Sequence, residues 1–273
     1  MNEKRLPGST GISPRRLRFA GTGDSAHGSR GVPSFAKRAP LAVQRVPGMS
    51  ATQGECAIVK ALHDAIALLE KRRGDLARWD PDTQENFSAW FGTDRTKARE
   101  VIDGRIGRAL KTLRHLSVQD FIPIPKPKKR GKKPSTYEAQ LADWQSTYAY
   151  VYPGYTRRRL KAATVEIAVV YVGPEFASAN DTTRAGTIIH EVSHFFSVGH
   201  TKDVSATFLG DPRKPDEREM YGYNKAERLS LQSPEGALNN ADNFEFFIES
   251  HDPADHPLDL DGAGDFEVPP KRG

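Results

Sequence analysis

Cysteine is nearly absent from this chain of 273 residues, Cys56 being the only one. No internal disulfide can form, so folding does not require an oxidising compartment. Long apolar runs are missing as well, and no window approaches the roughly 18 consecutive apolar residues of a membrane-spanning helix. Residues 1–50 lack the apolar stretch of a secretory signal, because Gly, Pro and Arg interrupt them throughout. There is no internal repeat. These absences predict a chain made in the cytoplasm without a general signal peptide, so that any export needs a specialised secretion system.

What is present is an ordinary globular composition, 37% hydrophobic and 27% charged, enough to bury the core of one large domain or two small ones. The net charge of +5 is unevenly placed. Residues 1–50 carry nine Lys/Arg against Glu3 and Asp24, and the remainder is slightly acidic. Such a basic arm can approach nucleic acid or a membrane surface. Only Phe19 and Phe35 interleave with its charges, which argues against nucleic-acid binding. The reading is a disordered basic leader over residues 1–50, open to contact by a delivery apparatus or an inhibitor.

Order is predicted to begin near Thr52. Ile58, Leu62, Ile66 and Leu69 recur at helical spacing in residues 53–73, with Gly74 closing the segment. A short helix is expected after Pro81, ending at Trp90-Phe91-Gly92. A third, capped by Asp94, should run to about His115 with Val101, Ile102, Ile106, Leu110 and Leu113 on its buried face. Residues 123–135 read as a mobile basic loop. Residues 147–152 and 164–172 read as strands, the second ended by Pro174. A helix starting at Asp181 or Thr182 should stop at Gly199. A loop over 200–220 and helices over 225–231 and 234–250 follow, then a flexible acidic and Pro-rich tail over 253–273. The domain is thus expected over residues 51–252.

The chemistry is written in His190-Glu191-Val192-Ser193-His194. Histidines four apart project from one helix face, so both imidazoles can reach one ion, and Glu191, about 100° round the helix, is left to act on a metal-bound water. Burying two histidines and a glutamate among Ile188, Ile189, Val192, Phe195 and Phe196 is costly unless they are paired or metallated. A catalytic zinc takes three protein ligands and keeps one open position. His200 stands where the metzincin pattern has its last histidine, but Ser197 occupies that pattern's glycine, and Met220 is the only candidate for its methionine turn. Asp203 can swing back once the helix has ended, and Glu227 or Glu245 could serve from a later helix.

The segment Arg184-Ala-Gly-Thr-Ile-Ile-His-Glu-Val-Ser-His194 resembles the active-site helix of the deuterolysin-type metallo-endopeptidases, or aspzincins. That family follows its histidines with Gly-Thr-x-Asp and Tyr-Gly, and this chain has Thr201-Lys-Asp203 and Tyr221-Gly222. Asn240-Ala-Asp-Asn-Phe-Glu-Phe-Phe247, Trp90-Phe91-Gly92 and Thr147-Tyr-Ala-Tyr-Val-Tyr152 are also similar to family segments. The resemblance covers about residues 51–252 and implies an α+β, zincin-like fold, mainly helical, with a small antiparallel sheet packed on the active-site helix. It implies zinc held by His190, His194 and Asp203, and Glu191 as general base. It further implies Tyr221 as an oxyanion donor, and Asp242 and Glu245 lining a pocket for lysine after the scissile bond. Three departures stand out: His200 replaces a glycine and stays an alternative third ligand, an insertion at 204–220 precedes Tyr221, and the family's disulfide cysteines are missing.

The function expected is zinc-dependent hydrolysis of protein or peptide bonds, on the N-terminal side of lysine, in the role of a bacterial effector or toxin. The alternative is a catalytically silent, zinc-stabilised binding or scaffold protein.

Overall fold

The computed structural model describes residues 44–129, 131, 133–160, 165–204 and 222–249. Residues 1–43 of the expected leader, the tail, the 204–220 insertion beyond Val204, Met220 and Tyr221 lie outside these residues. Residues 44–50, expected to belong to the disordered leader, are instead ordered, because Val46 is fully buried in the core and Ser50 caps the first helix.

Three helices open the fold: α1 (Ala51–Arg78), α2 (Pro81–Phe91) and α3 (Thr96–Leu113). Ser50 and Gln53 form a reciprocal capping box at the start of α1. Gly74 does not end α1. The helix continues to Arg78 and stops at Trp79 in the left-handed region, φ 50°. An interior glycine costs only about 1 kcal/mol, less than the burial of Leu76 two residues further on returns. Asp80 caps α2, accepting from Thr83 N at 2.9 Å, and Gly92 ends it at φ 64°, where a Cβ would collide with the Ser230 carbonyl. Asp94 does not cap α3. Arg95 holds that position without a side-chain hydrogen bond, and Val101 faces solvent while Ile102, Ile106, Leu110 and Leu113 are buried as expected.

A three-residue strand, β1 (Phe121–Pro123), follows, and then a helix the sequence reading missed, α4 (Pro134–Gln145). Helix α4 buries no residue, so it carries no apolar stripe to detect. β2 (Ala149–Leu160) and β3 (Val165–Val172) pair antiparallel, and β1 joins β3 on its other side in parallel, giving the order β1-β3-β2. The sheet is therefore mixed, and β1 escaped the sequence reading because so short a strand has no readable alternation of its own. Val170 and Val172 point into the core, whereas Tyr150, Tyr152 and Tyr171 cluster on the other face, with Tyr150 and Tyr171 stacked at 4.9 Å.

After a single helical turn, α5 (Glu175–Ser178), comes α6 (Asp181–Ser193), capped by Asn180. It is packed by α1, α3, β2 and the last helix. The final stretch is α7 (Tyr223–Gln232), α8 (Pro234–Asn239) and α9 (Ala241–Glu249). The single helix expected over 234–250 is broken at Asn240, whose side chain is diverted to Val204 N and Asn243. Phe87, Phe91 and Phe247 meet at 4.8–5.4 Å, and Trp90, Tyr223 and Phe246 form a second aromatic group, so α9 is locked onto α2 and α7.

Candidate metal centre

Helix α6 buries every residue from Ala185 to Ser193. It ends earlier than Gly199, with His194 at its C-cap. The cause is local. Ser193 Oγ donates to the His190 carbonyl at 2.6 Å and meets Thr201 Oγ1 at 2.5 Å, while Thr201 N donates to the Ser193 carbonyl at 3.2 Å. The chain thus turns back immediately after the second histidine. His200, at φ 49°, makes the left-handed turn that brings Thr201 and Asp203 under the imidazoles.

The ligand atoms of His190, His194 and Asp203 come within 4.8 Å of one another. His190 Nε2 lies 3.1 Å and His194 Nε2 3.4 Å from Asp203 Oδ1. Burial opposes ionisation of Asp203, but the charge of His194 and hydrogen bonds from both imidazoles outweigh it and hold the carboxyl well below the usual carboxylate range. Each ring is also gripped from behind. His194 Nδ1 is 2.8 Å from the Thr201 carbonyl, and His190 Nδ1 is 2.9 Å from Asp242 Oδ1 and 3.0 Å from Glu245 Oε2. With Nδ1–H bonded to an acceptor, each ring turns its Nε2 to Asp203, so that release of the Nε2 proton it now donates there would leave the tautomer a metal needs.

Glu191 is buried on the same helix, one residue beyond His190. His200 is not brought to the cluster: it is exposed, and its ring lies 4.0 Å from that of Phe196, itself 60% exposed and not in the core where the sequence placed it. Glu227 is not among the described groupings of possible metal ligands, whereas Glu245 belongs to a second one with His190 and Asp242.

Several residues that sequence reasoning passed over build this geometry. Asn240 Oδ1 accepts from Val204 N at 3.1 Å, and Lys202 pairs with the 239–241 backbone on both sides. Asn243, fully buried, donates at 2.7 Å to the carbonyls of both Trp90 and Ala226. The signal was the polar pair inside Asn240-Ala-Asp-Asn243, in a run otherwise destined for the core. Gly186 is the third such residue: a Cβ there would run into Glu249 and reach within 2.9 Å of Glu245 Oε1, so the carboxylates of α9 rest against the backbone of α6.

A family described as lysine-specific metallo-endopeptidase, the aspzincins, matches residues 77–249. An "Extracellular protease" of Aeromonas hydrophila is 29% identical over 226 residues, covering 79% of this chain and 52% of that protein. A "Peptidyl-Lys metalloendopeptidase" of Grifola frondosa is 33% identical over 108 residues, 38% of this chain and 24% of its own length. The chain therefore spans about half of the first relative and about a quarter of the second. A zinc peptidase from Grifola frondosa shares the fold, with a TM-score of 0.50 at 22% identity over 74% of this chain and 97% of that one. By a match that runs over more than half its length, this chain belongs to the aspzincin family.

Proposed function

We propose that the chain is a zinc-dependent endopeptidase that cuts proteins on the N-terminal side of lysine. The observation that carries this reading is the convergence of two imidazoles and one carboxylate within 4.8 Å, beside the buried Glu191. That donor set fits zinc, since His190, His194 and Asp203 supply three ligands and leave the fourth position for water. Bound there, zinc supplies Lewis acidity and brings the pKa of a bound water down to about 7. Glu191 takes up a proton as general base and returns it to the departing amine. Tyr221, through the family resemblance, donates a hydrogen bond to the oxyanion. The catalytic unit proposed is residues 51–252.

Selection of lysine falls to Asp242 and Glu245. Both are buried, three apart on α9, and bear negative charge that an incoming ammonium group would offset. Their shares differ. Asp242 has both oxygens engaged, Oδ1 at His190 and Oδ2 accepting from Gly222 N at 2.6 Å, so Glu245 carries more of the selection. The name of the Grifola frondosa relative supports the same preference.

The test is digestion of a denatured protein mixture with zinc-loaded wild type and with Glu191→Gln, mapping the cut sites by mass spectrometry. Cuts before lysine made by wild type alone are expected. No cuts from the zinc-loaded wild type would overturn the reading in favour of a silent, zinc-stabilised scaffold. In the same proposal the chain acts outside the cell, in keeping with the name of the Aeromonas relative, and its role there is that of an effector or toxin. Within the leader, residues 1–43 are its export segment, and their deletion, which spares the buried Val46 and the Ser50 cap, is expected to retain the protein inside the producing cell.

A further inference from the structure

Arg105 is an odd residue to find at the heart of this fold. It is 2% exposed on α3, and among the described residues no carboxylate pairs with it. Its Nη1 donates to the Leu238 carbonyl at 2.7 Å, its guanidinium lies 5.4 Å over the ring of Phe244, and its Nε is buried without a hydrogen-bond partner. Burial, with Arg108 nearby, lowers its pKa to about 10, so it stays charged at neutral pH. A buried charge so poorly compensated is destabilising on its own account, which directs attention to what the side chain holds apart and together.

Two pieces of chain meet on it. One is the turn after His194: a Cβ on Gly199 would overlap Arg105 Nε and lie 2.9 Å from its Cδ, and Arg108 Nε donates to the neighbouring Val198 carbonyl at 2.6 Å. Gly199 is therefore required for close approach rather than for an unusual φ, since it is not among the positive-φ residues. The other is the α8–α9 junction, gripped at Leu238. That junction is the bed on which the Asp203 loop lies, through Lys202 N to the Asn239 carbonyl at 2.9 Å, Ala241 N to the Lys202 carbonyl at 3.1 Å, and Val204 N to Asn240 Oδ1 at 3.1 Å. Asp203 sits between, with its entry fixed at 198–199 and its exit at 238–241.

We propose that Arg105 is a positioning residue for the metal centre: it sets the spacing between the Gly199 turn and the Leu238–Asn240 junction, and through both it aligns Asp203 with His190 and His194. The idea rests on the zinc site proposed above. Its test is the zinc dissociation constant of the full chain, measured by competition with a chromophoric chelator, in wild type, Arg105→Met, Arg105→Lys and Gly199→Ala. Arg105→Met and Gly199→Ala, which deform the clamp from opposite sides, should weaken zinc about 10- to 100-fold, the usual effect of disturbing the support of a metal ligand. Arg105→Lys, still able to reach the Leu238 carbonyl, should recover part of the loss. In an Asp203→Asn background the further effect of Arg105→Met should shrink to about twofold or less, because groups acting through one another are not additive. A general loss of stability would weaken zinc equally with and without Asp203. Equal losses in the two backgrounds, or Arg105→Met and Gly199→Ala both within about twofold of wild type, would overturn the inference and leave the zinc site intact. A wild-type chain that binds no zinc would overturn both.

Discussion

His190 has an acid on each side, and the two sides are built differently. At Nε2 the partner is Asp203, carried on a loop with its side chain 26% exposed. At Nδ1 the partners are Asp242 and Glu245, on a helix and 5% and 10% exposed. Asp203 is positioned by backbone hydrogen bonds and by Asn240. The acids of α9 are fixed by an aromatic lattice that ties the helix to α2 and α7. A carboxylate on a loop can exchange a hydrogen bond for coordination with a small shift. Carboxylates on a locked helix cannot, and suit a fixed task, orienting a ring and presenting charge. The same residue type thus serves ligation on one side of the imidazole and recognition on the other.

The largest effect should come from a residue on neither side. Glu191→Gln removes the proton carrier but leaves Asp203, Asp242 and Glu245 in place, so turnover is expected to fall by about 10²- to 10⁴-fold. Zinc affinity should stay near that of wild type. A comparable loss of zinc would mean that Glu191 belongs with the ligands and that the division around His190 is drawn in the wrong place.

Next in size is the contrast across the ring. Asp203→Asn should weaken zinc by at least about 100-fold, more than any change at the supporting acids, whose loss typically costs about 10- to 100-fold. Within α9, Asp242→Asn should weaken zinc, because an amide offers one oxygen where the carboxylate offers two, so it cannot serve both His190 Nδ1 and Gly222 N. Glu245→Gln should chiefly raise KM for lysine-containing peptides. Chelator competition and peptide kinetics on the same preparations measure both. An inverted order, with Glu245 governing zinc and Asp242 governing lysine, would exchange the roles of the two acids without touching Asp203.

These roles were unequally legible in the sequence. The two histidines and Glu191 could be read because i and i+4 on a helix are always neighbours, whatever the fold. Asp203 depended on resemblance, since its place under the rings is made by a left-handed His200 and by the Ser193–Thr201 contact, neither of which has a periodic signature. The first three helices and the two longer strands followed from apolar spacing and turn residues, although β2 runs on to Leu160, past the end expected at residue 152. Strand β1 is too short, and α4 too exposed, to leave such a pattern. Arg105, Asn240 and Asn243 act across 17 to 153 positions of sequence, through hydrogen bonds to backbone, and no local pattern announces a contact of that kind.

The prediction furthest from the chemistry tests the recognition side alone. Glu249 Oε1 packs against Gly186 beside Glu245, and burial, then the charges of Glu245 and Asp242, push its pKa from an ordinary 4.5 up to about 9. The folded protein then holds a proton that the unfolded chain releases above about pH 4.5, so the folded state binds more protons and stability must fall as pH rises. The loss accumulates between about pH 4.5 and about pH 9, at no more than about 1.4 kcal/mol per pH unit, and is complete above that window. Glu249→Gln mimics the protonated acid. In chelator-treated protein its melting temperature should match that of wild type near pH 4 and exceed it increasingly toward pH 9. If the two curves stay parallel across the range, α9 tolerates a third charge beside Glu245, and its acids are less tightly fixed than the contrast with Asp203 requires.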